Sequence, residues 1–162
     1  MVTATPSGGW LQSSPIIPDL GFCLSNRGQM FWLDNKSPAS LAPKKRPRTT
    51  LSPTFAFKDD KPYMVFGTPG GDQQDQWSTL MFLHHADHRM NLQESIDCPA
   101  FHTDHFPSSF WPRAYQSKKV VLEGRFPDNT ISELIRRGHD IEIGEPWSEG
   151  RLTAASSDGS TL

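Results

Sequence analysis

This sequence of 162 residues has little of what marks several large classes of protein. It has two cysteines, a net charge of −2, 35% hydrophobic residues and a mean hydropathy of −0.54. Cys23 and Cys98 lie far apart and form no CxxC pair, so neither a disulfide framework nor a zinc site is suggested. The nearly balanced charge offers no general attraction for nucleic acid or for an anionic membrane surface. We therefore expect no nucleic-acid partner.

Long apolar runs are also missing. No stretch approaches the roughly 18 consecutive apolar residues of a membrane-spanning helix, and residues 1–9 lack the basic and then apolar pattern of a signal peptide. We expect no membrane partner, and a cytoplasmic location is favoured over a periplasmic one. What the sequence does contain is 14 prolines, 12 glycines and five tryptophans. These predict one loop-rich domain that can bury large aromatic surfaces.

Apolar periodicity predicts an α+β fold rather than a parallel doubly wound sheet. A hairpin is indicated by two apolar runs that flank the turn Asp59-Asp60-Lys61, and Pro53 places the first run at a sheet edge or a bulge. Asp72 is the expected N-cap of the main helix. The predicted strands are 2–5, 21–24, 29–33, 50–58, 62–67, 120–122, 140–143 and one starting at 152–155, and the predicted helices are 73–88, 92–97 and 129–137.

The segment Phe66-Gly67-Thr68-Pro69-Gly70-Gly71-Asp72 is the most informative, because a strand leads into it and a helix leads out. Two glycines allow backbone N–H groups to converge at a helix N-terminus, where negative charge is favoured. Such a turn can act as an oxyanion hole in acyl transfer. The alternative is an ordinary Pro-Gly-Gly turn.

A basic segment, Lys44-Lys45-Arg46-Pro47-Arg48, runs into the hydroxyl-bearing residues Thr49 and Thr50. Cations beside hydroxyl donors suit a ligand that carries a carboxylate. The alternatives are a nucleic-acid or nuclear-localisation patch and a solvated basic loop.

Histidines could indicate a metal, since His84 and His88 share a helix face. The pattern is not HExxH, however, so no metal and no cofactor is predicted. Cys98 precedes Pro99 at a helix end without a histidine that would identify it as a nucleophile, so it is interpreted as structural.

Taken together, five motifs resemble the γ-glutamyltransferase family over nearly the whole sequence, and its acylase-like branch in particular. They are TATPS at 3–7, NRG at 26–28, KRPRTTLSPT at 45–54, GTPGG at 67–71 and MNLQESIDCPAFH at 90–102. The resemblance implies the four-layer αββα sandwich of N-terminal-nucleophile hydrolases, here incomplete at both ends. It also implies that a precursor cuts itself and exposes an N-terminal threonine that forms an acyl-enzyme.

The resemblance assigns roles to particular residues. Gly70 and Gly71 correspond to the oxyanion-hole amides, and Ser7 to a hydroxyl that supports the nucleophile. Thr49 and Thr50 stand where the family often has two serines that bind the substrate carboxylate.

Two departures bear on the acyl group. The family's asparagine near the supporting hydroxyl falls on Gly9, and its segment for holding the glutamyl amino group is replaced around residues 27–31. Arg27 there is available for a carboxylate, so an acyl group other than glutamyl is expected.

On this basis residues 1–162 are expected to be part of the small catalytic subunit of a γ-glutamyltransferase-like amidase. The nucleophilic threonine is expected before Met1, so that this polypeptide is inert by itself and tends to associate through open sheet edges. The expected partners are a γ-glutamyl or other acyl-amide substrate and the large subunit of the same precursor, in a heterodimer or larger oligomer. The alternative is a non-catalytic binding or scaffold protein with the same fold.

Overall fold

The computed structural model describes residues 1–5 and 15–157, which form a mixed α/β fold. A short 3₁₀ helix, Arg27–Met30, follows the first two strands, and a second one, Gly71–Gln73, leads into the main helix. The strands are β1 (Ile16–Ile17), β2 (Phe22–Cys23), β3 (Thr54–Lys58), β4 (Lys61–Gly67), β5 (Phe101–Thr103), β6 (Lys119–Leu122), β7 (Asp140–Ile143) and β8 (Thr153–Ser156), and the helices are α1 (Gln74–Ala86), α2 (Leu92–Asp97) and α3 (Asp128–Arg136).

The predicted hairpin is confirmed as β3 and β4, which pair antiparallel in a sheet ordered β3-β4-β8. Asp59 and Asp60 both have positive φ, 51° and 60°, as a tight two-residue turn between twisted strands requires. Strand β3 lies at the sheet edge directly after Pro53, as predicted, and its register shifts between Ala56 and Phe57.

The predicted strand, helix and strand at 120–143 are confirmed as a β-α-β unit. Strands β6 and β7 pair in parallel and are joined through α3, while β5 pairs antiparallel with β6 on its other side. Within the described ranges this β6-β7 pair is the one parallel strand pairing between named strands, which agrees with the prediction against a doubly wound sheet.

The core that supports the site lies between the β3-β4-β8 sheet and α1. Met64 and Phe66 on β4 pack with Met81 on α1, and all three are buried. A polar clamp then ties α1 to the second sheet: the Gln76 side chain accepts from Thr103 N at 2.8 Å and donates to Thr103 O at 3.1 Å. Helix α1 is therefore held from both sides, which fixes the direction of its N-terminus.

Two predicted strands are wrong. Residues 27–30 form a 3₁₀ helix instead of a strand, because Met30 is fully buried and Arg113 donates to the carbonyl oxygens of Gln29 and Phe31 at 2.9 Å each. The Arg113 guanidinium thus supplies the hydrogen bonds that a neighbouring strand would otherwise donate to these carbonyl groups. Residues 2–5 have no regular structure either, although Thr3 Oγ1 donates to Phe66 O of β4 at 3.4 Å.

Glu123, at the end of β6, is a buried carboxylate with an exposure of 1%. It accepts from Ala100 N at 3.2 Å, from Trp147 N at 2.5 Å and from the Arg125 guanidinium. Burial acts to raise the pKa of Glu123, but the hydrogen bond from Arg125 and the two amides outweigh it, so its pKa lies below the ordinary value.

We expect Glu123→Gln to lower the free energy of unfolding at pH 7 by about 3 kcal/mol, as for a broken buried ion pair. Because the folded pKa is depressed, the contribution of the charge is complete above the unfolded pKa and is lost as the pH falls through the folded pKa. The difference in free energy of unfolding between wild type and Glu123→Gln, measured by urea denaturation, should therefore be smaller at pH 3 than at pH 7. Glu133→Gln, in an exposed ion pair on α3, is the control and should change little. An equal Glu123→Gln effect at both pH values would contradict the prediction.

Within the described part of the chain, no helix has the length and apolar character needed to cross a membrane.

Candidate active site

The predicted anion site is the turn between β4 and α1, residues 68–73. Gly70 and Gly71 have φ values of 127° and 44°, in the left-handed half of backbone space that glycine adopts most readily. A Cβ at Gly70 would lie 2.4 Å from Cζ3 of Trp77, whereas one at Gly71 would meet nothing closer than 3.4 Å. The turn needs glycine at position 70 for two independent reasons, conformation and close approach.

The glycine amide N–H groups of this turn have no hydrogen-bond acceptor in the part of the chain that the structure describes. Gly70 O accepts from Gln73 N at 3.3 Å, but among the described residues no acceptor pairs with the N–H of Gly70 or of Gly71. These amides precede α1, whose N-terminus carries partial positive charge. The corner can therefore donate hydrogen bonds to an anionic oxygen.

A cleft of about 620 Å³ opens over this turn. Residues 2–5, β4, the turn and β8 form most of its wall, and Arg27 and Arg151 also line it. No aspartate or glutamate is among the described lining residues. The described part of the site therefore offers cations and backbone amides without a competing carboxylate, which favours an anionic ligand.

Arg27 extends from the first 3₁₀ helix into this cleft. Its Nε is buried and has no hydrogen-bond partner among the described residues, and its guanidinium lies 6.0 Å from the centre of the Phe110 ring. Phe110 also lies beside the turn, 3.7 Å from where a Cβ of Gly71 would be. The structure thus brings Arg27 and the two glycines into one cleft, although they are 43 residues apart in sequence.

Neither of the two threonines is among the described residues that line the cleft. Thr49 is exposed and its Oγ1 accepts from Leu51 N at 3.1 Å, and the next residue, Thr50, is 6% exposed. Leu51 is the member of this segment that lines the cleft. With its amide nitrogen facing the carbonyls, Gln74 donates to Thr50 O at 3.1 Å and to Thr68 O at 3.0 Å. Gln74 therefore connects the threonine segment to the start of the glycine turn.

Thr50 Oγ1 is buried and has no hydrogen-bond partner in the described structure. Thr50→Val removes this hydroxyl and keeps the shape of the side chain, so a purely structural threonine should become neutral or slightly stabilising when replaced. For a hydroxyl that contacts the substrate carboxylate, we expect KM to rise about 10- to 150-fold with an unchanged melting temperature, since one hydrogen bond to a charged group is worth about 1.5–3 kcal/mol. Thr50→Ser is the matched control and should keep the wild-type KM. An unchanged KM in Thr50→Val would remove Thr50 from the site.

The prediction that Asp72 caps the main helix is wrong. Gln73 is at the N-cap of α1 and makes no side-chain cap bond. The Asp72 carboxylate instead accepts from Ser109 N at 2.8 Å and from the Ser108 and Ser109 hydroxyls, and it pairs with Arg48 at 3.5 Å. A loop about 36 residues away thus competes successfully for the carboxylate and brings Phe110 next to the turn.

Ser7, assigned a supporting hydroxyl by the resemblance, lies outside the described residues, as does Gly9. Two residues that line the cleft, Arg151 and Gln74, were not predicted as site residues. Arg151 N donates to Thr68 Oγ1 at 3.0 Å, a contact over 83 residues that no local pattern announces. Gln74 could have been suspected, because it is a polar residue in the first turn of the helix.

The histidines do not form a metal site within residues 1–5 and 15–157, where no group of three or more His, Cys, Asp or Glu side chains is placed to hold a metal ion. His85 bonds Tyr63 Oη at 2.5 Å instead. Burial raises the pKa of the Cys98 thiol, which Arg125 partly offsets, so the reactive thiolate is disfavoured. This agrees with the structural interpretation of Cys98.

Comparison with known proteins then decides the family. The profile of the gamma-glutamyltranspeptidase family matches residues 1–162. The chain belongs to the gamma-glutamyltranspeptidase family.

Relatives of this gamma-glutamyltranspeptidase-family chain include an amidohydrolase and an acylase. It is 37% identical over 137 residues to the oxamate amidohydrolase proenzyme of Klebsiella pneumoniae subsp. pneumoniae. The aligned region covers 85% of this chain and 25% of that protein. The solved structure of LmbA2991HD is 51% identical with a TM-score of 0.86, over 96% of this chain and 28% of that one. The crystal structure of the cephalosporin acylase from Bacillus halodurans is 30% identical in sequence, with a TM-score of 0.72. This match covers 85% of the present chain and 24% of the acylase chain. The chain spans about a quarter of the length of these relatives.

Proposed function

We propose that this chain is part of the small subunit of an amide-cleaving acyltransferase or hydrolase that forms an acyl-enzyme on a threonine encoded outside this sequence. The rest of the protein would complete a four-layer αββα sandwich and form a heterodimer, or a larger oligomer, with this part. One observation carries the proposal: the glycine turn, whose amides have no acceptor among the described residues, shares a cleft with Arg27 and Arg151 and with no described acidic side chain.

In this mechanism the substrate amide carbonyl lies over the turn. When the threonine hydroxyl attacks, the carbonyl oxygen becomes an anion, and the amides of Gly70 and Gly71 donate to it. Donors already in place need no reorganisation as the charge develops, which lowers the barrier. The carbon–nitrogen bond then breaks, and the proton given up by the threonine hydroxyl leaves with the amine. Water or another amine next attacks the ester, takes the acyl group and returns one proton to the threonine oxygen.

The charges in the cleft bear on the acyl group. Arg27 and Arg151 suit a carboxylate on the acyl chain, and no described lining carboxylate is available to pair with a substrate ammonium group. We therefore propose an acyl donor with a free carboxylate and no requirement for an α-amino group. Thr49 and Thr50 would support the carboxylate end, and Ser7 the nucleophile.

The test is to express the complete gene and to follow both maturation and hydrolysis. Mass spectrometry should find two chains, the smaller starting with threonine, and glutaryl anilide should be cleaved at least as well as γ-glutamyl anilide. A single uncut chain without anilide hydrolysis would instead favour the scaffold alternative. A strong preference for γ-glutamyl over glutaryl anilide would remove the proposal about the acyl group and leave the amidase intact.

A further inference from the structure

A buried carboxylate lies directly behind the glycine turn, in the segment that precedes β8. The side chain of Glu149 is 7% exposed, and its Oε2 accepts from Trp77 Nε1 at 2.9 Å. The same oxygen lies 2.5 Å from Nδ1 of His102 on β5. One carboxylate oxygen therefore joins α1, β5 and the segment before β8.

The indole of Trp77 connects Glu149 to the glycine turn, because it donates to Glu149 and packs against Gly70. Trp77 is 8% exposed, and its six-membered ring lies against Gly70, where an added Cβ would be 2.4 Å from Cζ3. Gly150 contacts the indole as well, with a Cβ position 3.5 Å from its Cδ2. The indole contacts a glycine at each of these positions, so that a rotation of the ring would move Gly70.

Other polar contacts reinforce the same unit. His102 Nε2 lies 3.8 Å from Asp104 Oδ1, and Asp104 in turn lies 4.0 Å from Lys119 Nζ. The hydrogen bond from Nδ1–H to Glu149 orients the His102 ring, and Asp104 lies on the opposite side of that ring without a direct hydrogen bond to it. On the other side of Glu149, Arg151 N donates to Thr68 Oγ1 at 3.0 Å, which attaches this segment to the first part of the turn.

We propose that Glu149 and His102 are positioning residues: they fix the rotation of the Trp77 indole and, through it, the direction of the Gly70 amide toward the substrate oxygen. This inference rests on the proposed function. An apolar side chain could fill the same space, and burying a carboxylate carries a desolvation cost that packing alone would not require. A directional bond to the indole N–H adds what packing lacks, control of ring orientation. Oxyanion donors need this control, because they must lie about 2.7–3.1 Å from the oxyanion.

The kinetic test uses the protein from the complete gene. Glu149→Ala and Trp77→Phe should each lower kcat about 10- to 100-fold, and KM should change less than about 3-fold because Arg27 still binds the carboxylate. Glu149→Gln should recover most of kcat, since its amide oxygen can accept from both donors. The double variant of Trp77→Phe and Glu149→Ala should be no slower than the slower single variant. His102→Asn should keep a kcat close to wild type, whereas His102→Ala should lower kcat. His105→Ala replaces an exposed histidine and is the control, with an expected kcat equal to wild type.

A second measurement reads the geometry without turnover. In ¹H–¹⁵N spectra, Glu149→Ala and Trp77→Phe should both shift the Gly70 amide resonance, and Glu149→Gln should shift it much less. A Gly70 resonance that stays in place in Glu149→Ala would overturn the inference, whether or not the enzyme is active. So would an unchanged kcat in Glu149→Ala, or a loss in Glu149→Gln as large as in Glu149→Ala. A wild-type protein that cleaves no amide would overturn the proposed function, while the Gly70 resonance would still decide whether Glu149 positions the turn.

Discussion

Gly70→Ala is expected to lower kcat by about 100-fold or more, the usual effect of losing one oxyanion donor. At a φ of 127° an L-residue is strained, and the added methyl group would lie 2.4 Å from Cζ3 of Trp77. The turn or the indole must therefore move, and either movement redirects the amide. We also expect the free energy of unfolding to fall by roughly 2–3 kcal/mol. Steady-state kinetics on the protein from the complete gene and thermal melting measure the two effects.

Gly71→Ala is the matched control for this prediction. Its φ of 44° lies in the left-handed region that other residues enter at a cost of about 1–2 kcal/mol, and the nearest atom to an added Cβ is Gln73 Oε1 at 3.4 Å. The Gly71 amide keeps its direction, so kcat should fall less than about 10-fold. Equal losses of kcat in the two variants would show that Trp77 does not set the position of the turn. A fully active Gly70→Ala would remove the oxyanion role.

Arg27→Ala is expected to raise KM about 30- to 150-fold for acyl donors that carry a carboxylate, with little change for neutral acyl amides. The estimate follows from a charge-assisted hydrogen bond of about 2–3 kcal/mol, at about 1.4 kcal/mol for each factor of ten. Its Nε is buried and has no hydrogen-bond partner within residues 1–5 and 15–157, which makes Arg27 a stronger candidate than Arg151, the other arginine found in the described lining. The ratio of kcat/KM for glutaryl anilide and acetyl anilide measures the effect.

Lys44→Ala is the control, because this exposed cation in the basic segment does not line the cleft. It should leave both KM values within about 2-fold, as expected for a distant charge that salt screens. Arg27→Lys should lie between alanine and wild type, since an ammonium group restores the charge without the planar fork. If Arg27→Ala weakens the neutral and the anionic donor equally, Arg27 supports the fold of the 3₁₀ helix rather than the substrate.

The local structure around the site was largely predictable. The order of a strand, the sequence Thr68-Pro69-Gly70-Gly71 and a helix follows from an apolar run, two adjacent glycines and helical spacing, each visible within about a dozen residues. The same local signals predicted the hairpin and the order of strand, helix and strand at 120–143, whereas the parallel pairing of those two strands came from the structure. The strand predicted at 29–33 failed because Arg113, more than 80 residues away, satisfies the carbonyl groups there.

The hydrogen-bond partners of polar side chains were also not predicted correctly from the sequence. Asp72 is a residue type that often caps helices, and it stands just before the main helix, yet its carboxylate accepts from Ser109 N instead. Glu149 and Arg151 gave no signal, since the reason for their positions is a tryptophan and a threonine more than 70 residues earlier. Such pairings depend on which loops meet once the sheets have formed, and short-range periodicity does not contain that information.

The amino-acid sequence by itself determined that residues 66–72 form a glycine turn at a helix N-terminus, because backbone freedom and helical spacing are local properties. It also determined the family, through five motifs in a fixed order. Only the tertiary structure placed Arg27 and Arg151 in the cleft above that turn and Glu149 behind it. The reason is physical: buried polar groups must find partners wherever the packed chain offers them, and those partners are set by packing over the whole fold.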